Sequence, residues 1–588
     1  MTASEPASGT MPPSEPASRT MPPSALSPQH RARSRERMDS EVFDVVVVGG
    51  GVTGTGAAVD AATRGLSVAL IEARDYAAGA SSKSSKLIHG GLRYLEMLDF
   101  GLVREALRER RLLLTRLAPH LVKPVSFLWP PTHKWWERPY VAAGLLLYDT
   151  MGGRRAVPRA RYLSRQDALE LAPALRPEAL VGAFQFYDAQ EDDARMVAFL
   201  ARTAAAGGAA LATNIRMDGL LTDGQRVLGV RARDLLDGTD LSIRARHVVL
   251  AAGAWTNDTR YDAAGPAGRM RVRPSKGVHI VVPRDSILME TGLLTRTENS
   301  VLFVIPWGSH WIIGDTDTEW QQDPGDPAAS RSDIDYLLAK ANKMLRDPIS
   351  AADIEGVFAG LRPLVEASAG NTARLSREHR VDSAAAGLTT IAGGKFTTYR
   401  VMARDLIDAA VSDLARAVPP SRTHRVPLVG ASGYAERWDA RQQIAERSGV
   451  PAAEIERLLG RYGSCTDDLL ALIGGRPELG KPLTGAAGYL AAEIVYACTH
   501  EGAIRLDDVL ARRTRIAFEA GDRGFTAAPQ AAALMARELG WNPERTRAEI
   551  TQYRRKITAE QAAQNEPDDK LAFEAQVQVP DPVPFYGR

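Results

Sequence analysis

Three glycines, Gly49, Gly51 and Gly54, follow a run of valines and open an alanine-rich stretch, and Glu72 stands 18 positions after the third. That spacing suits a dinucleotide. The first glycine permits a tight turn, the second lets the backbone approach a pyrophosphate, and the third lets a helix pack closely on a strand. The helix N-terminus beyond them favours negative charge, and a carboxylate at the position of Glu72 can accept hydrogen bonds from a ribose. Much later, His279 lies in the apolar stretch 278–282. Burial there favours a neutral imidazole able to take a proton, although a core histidine would sit in the same pattern. Arg362 precedes a proline in a Gly-Leu-Arg-Pro segment that reads as a turn. Its planar guanidinium suits an anion, or an ion pair that anchors a loop.

These groups need a scaffold. Residues 44–48 form a short β-branched run, the pattern of a strand buried on both faces. A helix over 56–63 and a second strand over 66–71, ending in Glu72, complete the order that a dinucleotide fingerprint requires. The fingerprint alone does not separate NAD from FAD. Beyond it comes a hydroxyl-rich loop, Ser81-Ser82-Lys83-Ser84-Ser85-Lys86, leading to His89, Arg93 and Tyr94. The second phosphate, ribitol and ring of a flavin would continue there. Two distant segments, 247–255 with Gly253 and 388–399 with Gly394 and Lys395, read as further strands at the same site. Strands dispersed over roughly 350 residues suit a flavoenzyme with an inserted substrate domain.

Composition sets the frame. The 588 residues allow two to four domains, and 45% apolar with 24% charged residues is ordinary globular usage. Basic and acidic residues number 73 and 71, so no overall charge draws the chain to nucleic acid. Cys465 and Cys498 offer neither metal-ligand spacing nor a disulfide framework, which points to a reducing, intracellular setting. The longest apolar candidate, 141–148, has eight residues and is too short to span a membrane. Near it Lys134, Trp135, Trp136, Arg154 and Arg155 suggest a membrane-surface contact, against the plainer reading of a core helix beside an exposed loop. Residues 1–39 contain a ten-residue Ser-Glu-Pro repeat followed by Arg31, Arg33, Arg35 and Arg37, and are expected to be a disordered tail. The expected division thereafter is 40–420 for interleaved cofactor and substrate domains, 421–572 for a separate helical domain, and 573–588 for an extended tail.

Residues 44–72 and the block SSKSSKLIHGGLRYLE at 81–96 resemble FAD-dependent glycerol-3-phosphate dehydrogenases. So do KGVHIVVP (276–283), FVIPW (303–307), GLRPL (360–364), LSREH (375–379) and GGKFTTYR (393–400), in family order. The resemblance implies an α/β fold: a glutathione-reductase-type, Rossmann-like FAD domain, an inserted α+β substrate domain and a C-terminal helical domain. It implies oxidation of sn-glycerol 3-phosphate to dihydroxyacetone phosphate by hydride transfer to flavin N5, within glycerol and glycerophospholipid catabolism. Electrons would pass to a quinone at the inner face of the cell membrane, from a cytoplasmic, peripherally bound protein. His279 and Arg362 become the catalytic candidates, and Arg93, Tyr94, Arg377 and Lys395 the substrate-binding ones. Gly49, Gly51, Gly54, Glu72, Ser81, Ser82, Ser85, His89, Gly253, Gly394 and Lys395 would hold FAD. No metal is expected: Asp315-Thr-Asp317-Thr-Glu319 begins like the calcium loop of mitochondrial relatives, but Trp320 and Asp326 replace its glycine and glutamate. Oxygen in place of quinone, another amino- or hydroxy-acid oxidase, and a flavin protein without turnover stay as alternatives, and a homodimer is left open.

Overall fold

The valines at positions 45–48 are buried, as expected of the middle of a parallel sheet covered on both sides. The computed structural model describes residues 22–91, 99–131, 136–152, 156–224, 226–258, 270–297, 301–366 and 378–579. In chain order the elements that build the site are helix α1 (Pro28–Ser40), strand β1 (Val42–Val48), helix α2 (Val52–Thr63), strand β2 (Val68–Glu72), and helices α3 (Glu137–Met151) and α4 (Asp193–Ala206). Strands β3 (Ala210–Thr213), β4 (Asp240–Leu250), β5 (Val272–Pro283), β6 (Gly356–Val365) and β7 (Leu388–Gly393) follow, then helices α5 (Pro543–Ala563) and α6 (Asp569–Gln576).

Among the described residues two large sheets carry the molecule, one of eight strands and one of ten. The first runs β7–β4–β1–β2–β3, each neighbouring pair parallel. Strands from three distant stretches therefore end side by side, as their motifs imply. In the second sheet β5 and β6 pair antiparallel along ten residues of each, setting Phe358 opposite His279 and Arg362 opposite Ser275. Arg362 thus sits within a strand and not on a turn. The proline after it suggested otherwise, but long-range pairing overrides that local signal.

The C-terminal helices form, with one change. Within the region expected to be helical, residues 486–490 make a short strand against Pro482–Leu483 after a turn at Gly485 (φ +74°), and the helix starts at Ala491. Nor is this region separate in its packing. A single buried cluster contains Val45 and Leu70 of the first sheet, Phe199 of α4, and Leu458 and Ile494 of the C-terminal helices. Helix α4 is buried along its length between them. The expected extended tail from 573 is also corrected. Asp568 caps α6 by accepting the N–H groups of Lys570 and Leu571, and the helix continues to Gln576. Residues 580–588 lie outside the described residues.

The N-terminal expectation changes most. Residues 1–21 lie outside the described residues, but 28–40 are a docked helix. Ser27 caps α1 by accepting the His30 N–H, and Pro28 occupies a first-turn position where its missing N–H costs nothing. The helix covers the edge strand β3: the Ser34 hydroxyl accepts the Leu211 N–H at 3.2 Å and Arg31 donates to the Thr213 carbonyl at 3.0 Å. Arg31 also pairs at 2.9 Å with Asp234, whose side chain is fully buried. Leu26 and Met38 are buried as well. The arginines read as solvated because α1 binds through edge hydrogen bonds and ion pairs, with only a narrow apolar stripe. Removing residues 1–40 should cost about 3 kcal/mol or more, since it opens a sheet edge and leaves Asp234 unpaired. Thermal unfolding of the truncated protein checks this; an unchanged melt would mean that α1 adds nothing to stability.

Candidate active site

The glycine turn has the geometry its spacing implies. Gly49 adopts φ +112°, a left-handed conformation open to glycine. A Cβ on Gly54 would collide with the Gly49 carbonyl, so α2 can pack on β1 only because that position has none. Gly51 caps α2, and there the Ser81 hydroxyl accepts the Val52 N–H at 3.0 Å. An incoming phosphate would share that donor. Glu72 accepts the Gly50 N–H through one carboxylate oxygen at 2.6 Å and the Arg74 N–H through the other at 2.8 Å. Both oxygens keep lone-pair capacity for a ribose diol. Burial pushes the Glu72 pKa up, and the two N–H groups oppose it.

From this turn a cavity of about 520 Å³ reaches to His279, Arg362 and Lys395. Ser85, His89, Gly253 and Gly394 line it too. Ser82 does not: its side chain is buried, and its carbonyl accepts the Lys86 ammonium at 3.0 Å. The tight turn at Ala80–Ser82 decides which of two adjacent serines faces inward. Arg93, Tyr94 and Arg377 fall outside the described residues.

His279 is held on three sides. Its Nε2 and the Ser85 hydroxyl share a 2.9 Å hydrogen bond. Its ring stacks on Phe358, with centroids 4.8 Å apart and planes 13° from parallel. Gly314, its neighbour on the other adjacent strand, leaves room for the ring, since a Cβ there would strike the imidazole. Among the described residues Nδ1 is buried without a hydrogen-bond partner. Burial brings the pKa down to about 4, with Asp315 opposing and Arg362 and Lys86 reinforcing the shift. The imidazole is therefore neutral near pH 7 and able to accept a proton.

Arg362 projects over Gly277, where a side chain would strike its guanidinium. It donates to Asp315 and to the Thr316 carbonyl, and lies 3.6 Å from Asp317. The acidic pair that begins like a calcium loop turns instead toward this arginine. The ion-pair reading of Arg362 is thus satisfied, and the same side chain lines the cavity.

A second group of residues was not singled out by motif. Lys86, next to Ser85, adopts φ +57° and is buried against Asp193, whose two oxygens lie 2.9 Å from its ammonium. Asp193 also accepts the Ser84 N–H at 3.0 Å and hydroxyl at 2.7 Å, and pairs with Arg515 at 2.6 Å. Burial lowers the Lys86 pKa to about 8, against the pull of Asp193. This group fixes the backbone that presents Ser85 to His279. Two signals stood in the sequence: the acidic run 191–193, and three arginines within 512–515 after an apolar stretch.

These residues fit FAD. A helix N-terminus with a close-approach glycine, an anchored ribose carboxylate, and an orphaned imidazole nitrogen on the same cavity meet the needs of both ends of such a cofactor.

Comparison with known proteins agrees. Residues 44–408 match the family model described as FAD dependent oxidoreductase, and residues 421–546 the one described as C-terminal domain of alpha-glycerophosphate oxidase. The chain is 51% identical over 548 residues to glycerol-3-phosphate dehydrogenase of Mycobacterium leprae (strain TN), covering 93% of this chain and 94% of that protein. It is 38% identical over 541 residues to mitochondrial glycerol-3-phosphate dehydrogenase of Homo sapiens, covering 88% of this chain and 73% of that one. Among solved structures it is similar to the glycerol-3-phosphate dehydrogenase from Bacillus halodurans complexed with FAD. The TM-score is 0.75 at 28% identity, with 91% of this chain and 98% of that chain covered.

Proposed function

Since the chain belongs to the family of FAD-dependent glycerol-3-phosphate dehydrogenases, we propose that it oxidises sn-glycerol 3-phosphate to dihydroxyacetone phosphate with His279 as proton acceptor, and passes the electrons to a membrane quinone. The observation that carries this reading is a neutral imidazole bound to Ser85, beside the Arg362 guanidinium, on the cavity that bears the dinucleotide turn. Bound FAD supplies the hydride acceptor. His279 takes the proton of the C2 hydroxyl, and Ser85 and Phe358 fix the plane of its ring. Arg362 faces the phosphate or the developing alkoxide, with Asp315 and Asp317 holding its fork in place. Lys395, with Arg93, Tyr94 and Arg377 from the family blocks, completes the substrate contacts. The reaction would serve glycerol and glycerophospholipid catabolism.

We place the protein at the cytoplasmic face of the cell membrane. Helix α3 buries Val141, Leu145 and Tyr148 and exposes Tyr140, Leu146 and Leu147, with Trp136 exposed just before it. An outward apolar face of this kind supports seating at a lipid interface. Trp135, Arg154 and Arg155 lie outside the described residues. Among the described residues no helix is long and apolar enough to cross a membrane. A second reading, with oxygen as acceptor, is favoured by the match of residues 421–546 to the oxidase C-terminal domain.

One experiment tests these readings together. Anaerobic glycerol 3-phosphate should bleach the flavin absorbance of the purified protein, and absence of bleaching overturns both readings. Rapid return of colour with anionic vesicles containing quinone, and slow return with air, is the expected result. Rapid return with air and release of peroxide would select the oxidase. The double variant Trp136→Ser, Leu146→Ser should lose vesicle binding and turnover with vesicle quinone, yet keep turnover with a soluble dye. Unchanged co-sedimentation with vesicles would remove α3 from the membrane contact.

A further inference from the structure

The cavity that holds Glu72 and His279 does not end at the nucleotide-binding sheet. Arg505, Asp507, Lys556 and Glu560, all from the C-terminal helical region, line it as well. The contacts behind this wall converge on the two loops that serve the ADP half of FAD. Asp75, three residues beyond Glu72, accepts Arg512 at 2.7 Å and Arg513 through both oxygens at 2.8 and 2.6 Å. Arg512 continues to Asp507 at 2.7 Å, and Asp507 to Lys556 of α5 at 2.8 Å. The second loop carries Ser81 and Lys83. Lys83 of that loop lines the cavity together with Lys556 and Glu560 of α5, so the phosphate loop and α5 face the same space. Arg505, paired with Glu549 at 3.4 Å, stands on the same wall. The glycine turn is thus the floor of the cofactor site, and its wall arrives from hundreds of residues later.

We propose that the C-terminal helical region is part of the cofactor site: the Arg512–Asp507–Lys556 wall encloses the ADP half of FAD and sets how long the cofactor stays bound. The inference rests on the FAD site alone and not on the substrate or the acceptor. The chemistry recognised is a nucleoside diphosphate. The wall is an ion-pair network, Arg512 with Asp75, Asp507 and Asp508 and Lys556 with Asp507, that holds the diphosphate by enclosure and N–H donors, and Asp75, locked by two guanidiniums, keeps the Glu72 loop from opening. Enclosure of this kind acts mainly on release, because a bound group must wait for the wall to move.

The test separates the ADP half from the rest of the cofactor. Apoprotein of the wild type, Lys556→Met and Arg512→Met would be titrated with FAD, FMN and ADP, following flavin fluorescence and, for ADP, the heat of binding. Lys556→Met leaves Asp507 paired with Arg512, so the fold is kept. FAD release should quicken about tenfold in Lys556→Met and about 100-fold in Arg512→Met, with Arg512→Lys recovering part of the loss. ADP affinity should fall in parallel while FMN affinity stays within about twofold of wild type. Circular dichroism and melting of each apoprotein report folding independently of flavin, and if Arg512→Met does not fold, Lys556→Met decides alone. Unchanged FAD release from folded Lys556→Met overturns the proposal. An equal loss of FAD and FMN affinity also overturns it, by assigning the wall to general packing.

Discussion

His279→Asn is expected to lower kcat and kcat/KM for glycerol 3-phosphate together, by about 10²–10⁴-fold. A proton acceptor acts chiefly in the transition state, so KM should change little. Asparagine keeps a polar atom near Ser85 but has no basic nitrogen. The pH profile gives an independent reading. With its pKa near 4, the imidazole is neutral above that value. Wild-type kcat/KM should therefore hold level from neutrality down toward about pH 5 and fall as the pH drops through about 4. The variant should lack that limb. Folding must be followed in parallel. A histidine whose folded pKa lies near 4, below its ordinary 6.5, costs stability progressively as the pH falls between those values, because the unfolded chain takes the proton first. Near-wild-type turnover in folded His279→Asn would remove the residue from the mechanism and pass its role to water or another base.

Gly51→Val should give folded but colourless protein, with FAD affinity down by about 10²-fold or more. Its φ of −76° is open to any residue, and among the described residues beyond its chain neighbours an added Cβ would meet just the Ser81 hydroxyl oxygen, at 3.2 Å. The fold therefore tolerates the side chain, but the pyrophosphate must approach through the same space. Gly54→Val supplies the contrast: its Cβ meets the Gly49 carbonyl, so the loss should appear as failure to fold. Flavin absorbance and circular dichroism of the two variants separate the effects. Wild-type FAD content in Gly51→Val would place the pyrophosphate elsewhere.

The parts of the site that are legible in the sequence are those whose chemistry is local. The glycine turn, Glu72 and the strand endings at Gly253 and Gly394 each announce themselves within a dozen residues, and the parallel order β7–β4–β1–β2–β3 joins them as their motifs suggest. His279 is legible as a strand histidine, but its neutrality depends on Phe358, Ser85 and Gly314, none of which is near it in sequence. Arg362 misleads because Pro363 is a local turn signal while its strand is fixed by pairing with β5. The arginines of α1 mislead because a helix that shields a sheet edge needs few apolar residues. Arg512, Arg513 and Arg515 are hardest of all. Their partners, Asp75, Asp192 and Asp193, lie more than 300 residues away, and no periodicity carries that information.

Asp75 and Arg512 are 437 residues apart, and that distance bears on how the molecule is made. During synthesis the glycine turn and Glu72 leave the ribosome early. Strand β7, which pairs with β4 in the same sheet, emerges more than 300 residues after Glu72, and the arginines that lock Asp75 later still. Until then the nascent chain holds a valine-rich sheet with an open edge, and a carboxylate at Asp75 whose two guanidinium partners do not yet exist. Closing such long loops costs entropy before any contact repays it, and an unpaired strand edge invites wrong partners. If the C-terminal wall encloses the ADP half, capture of FAD becomes a closing step of biogenesis, taken after the last third of the chain has arrived.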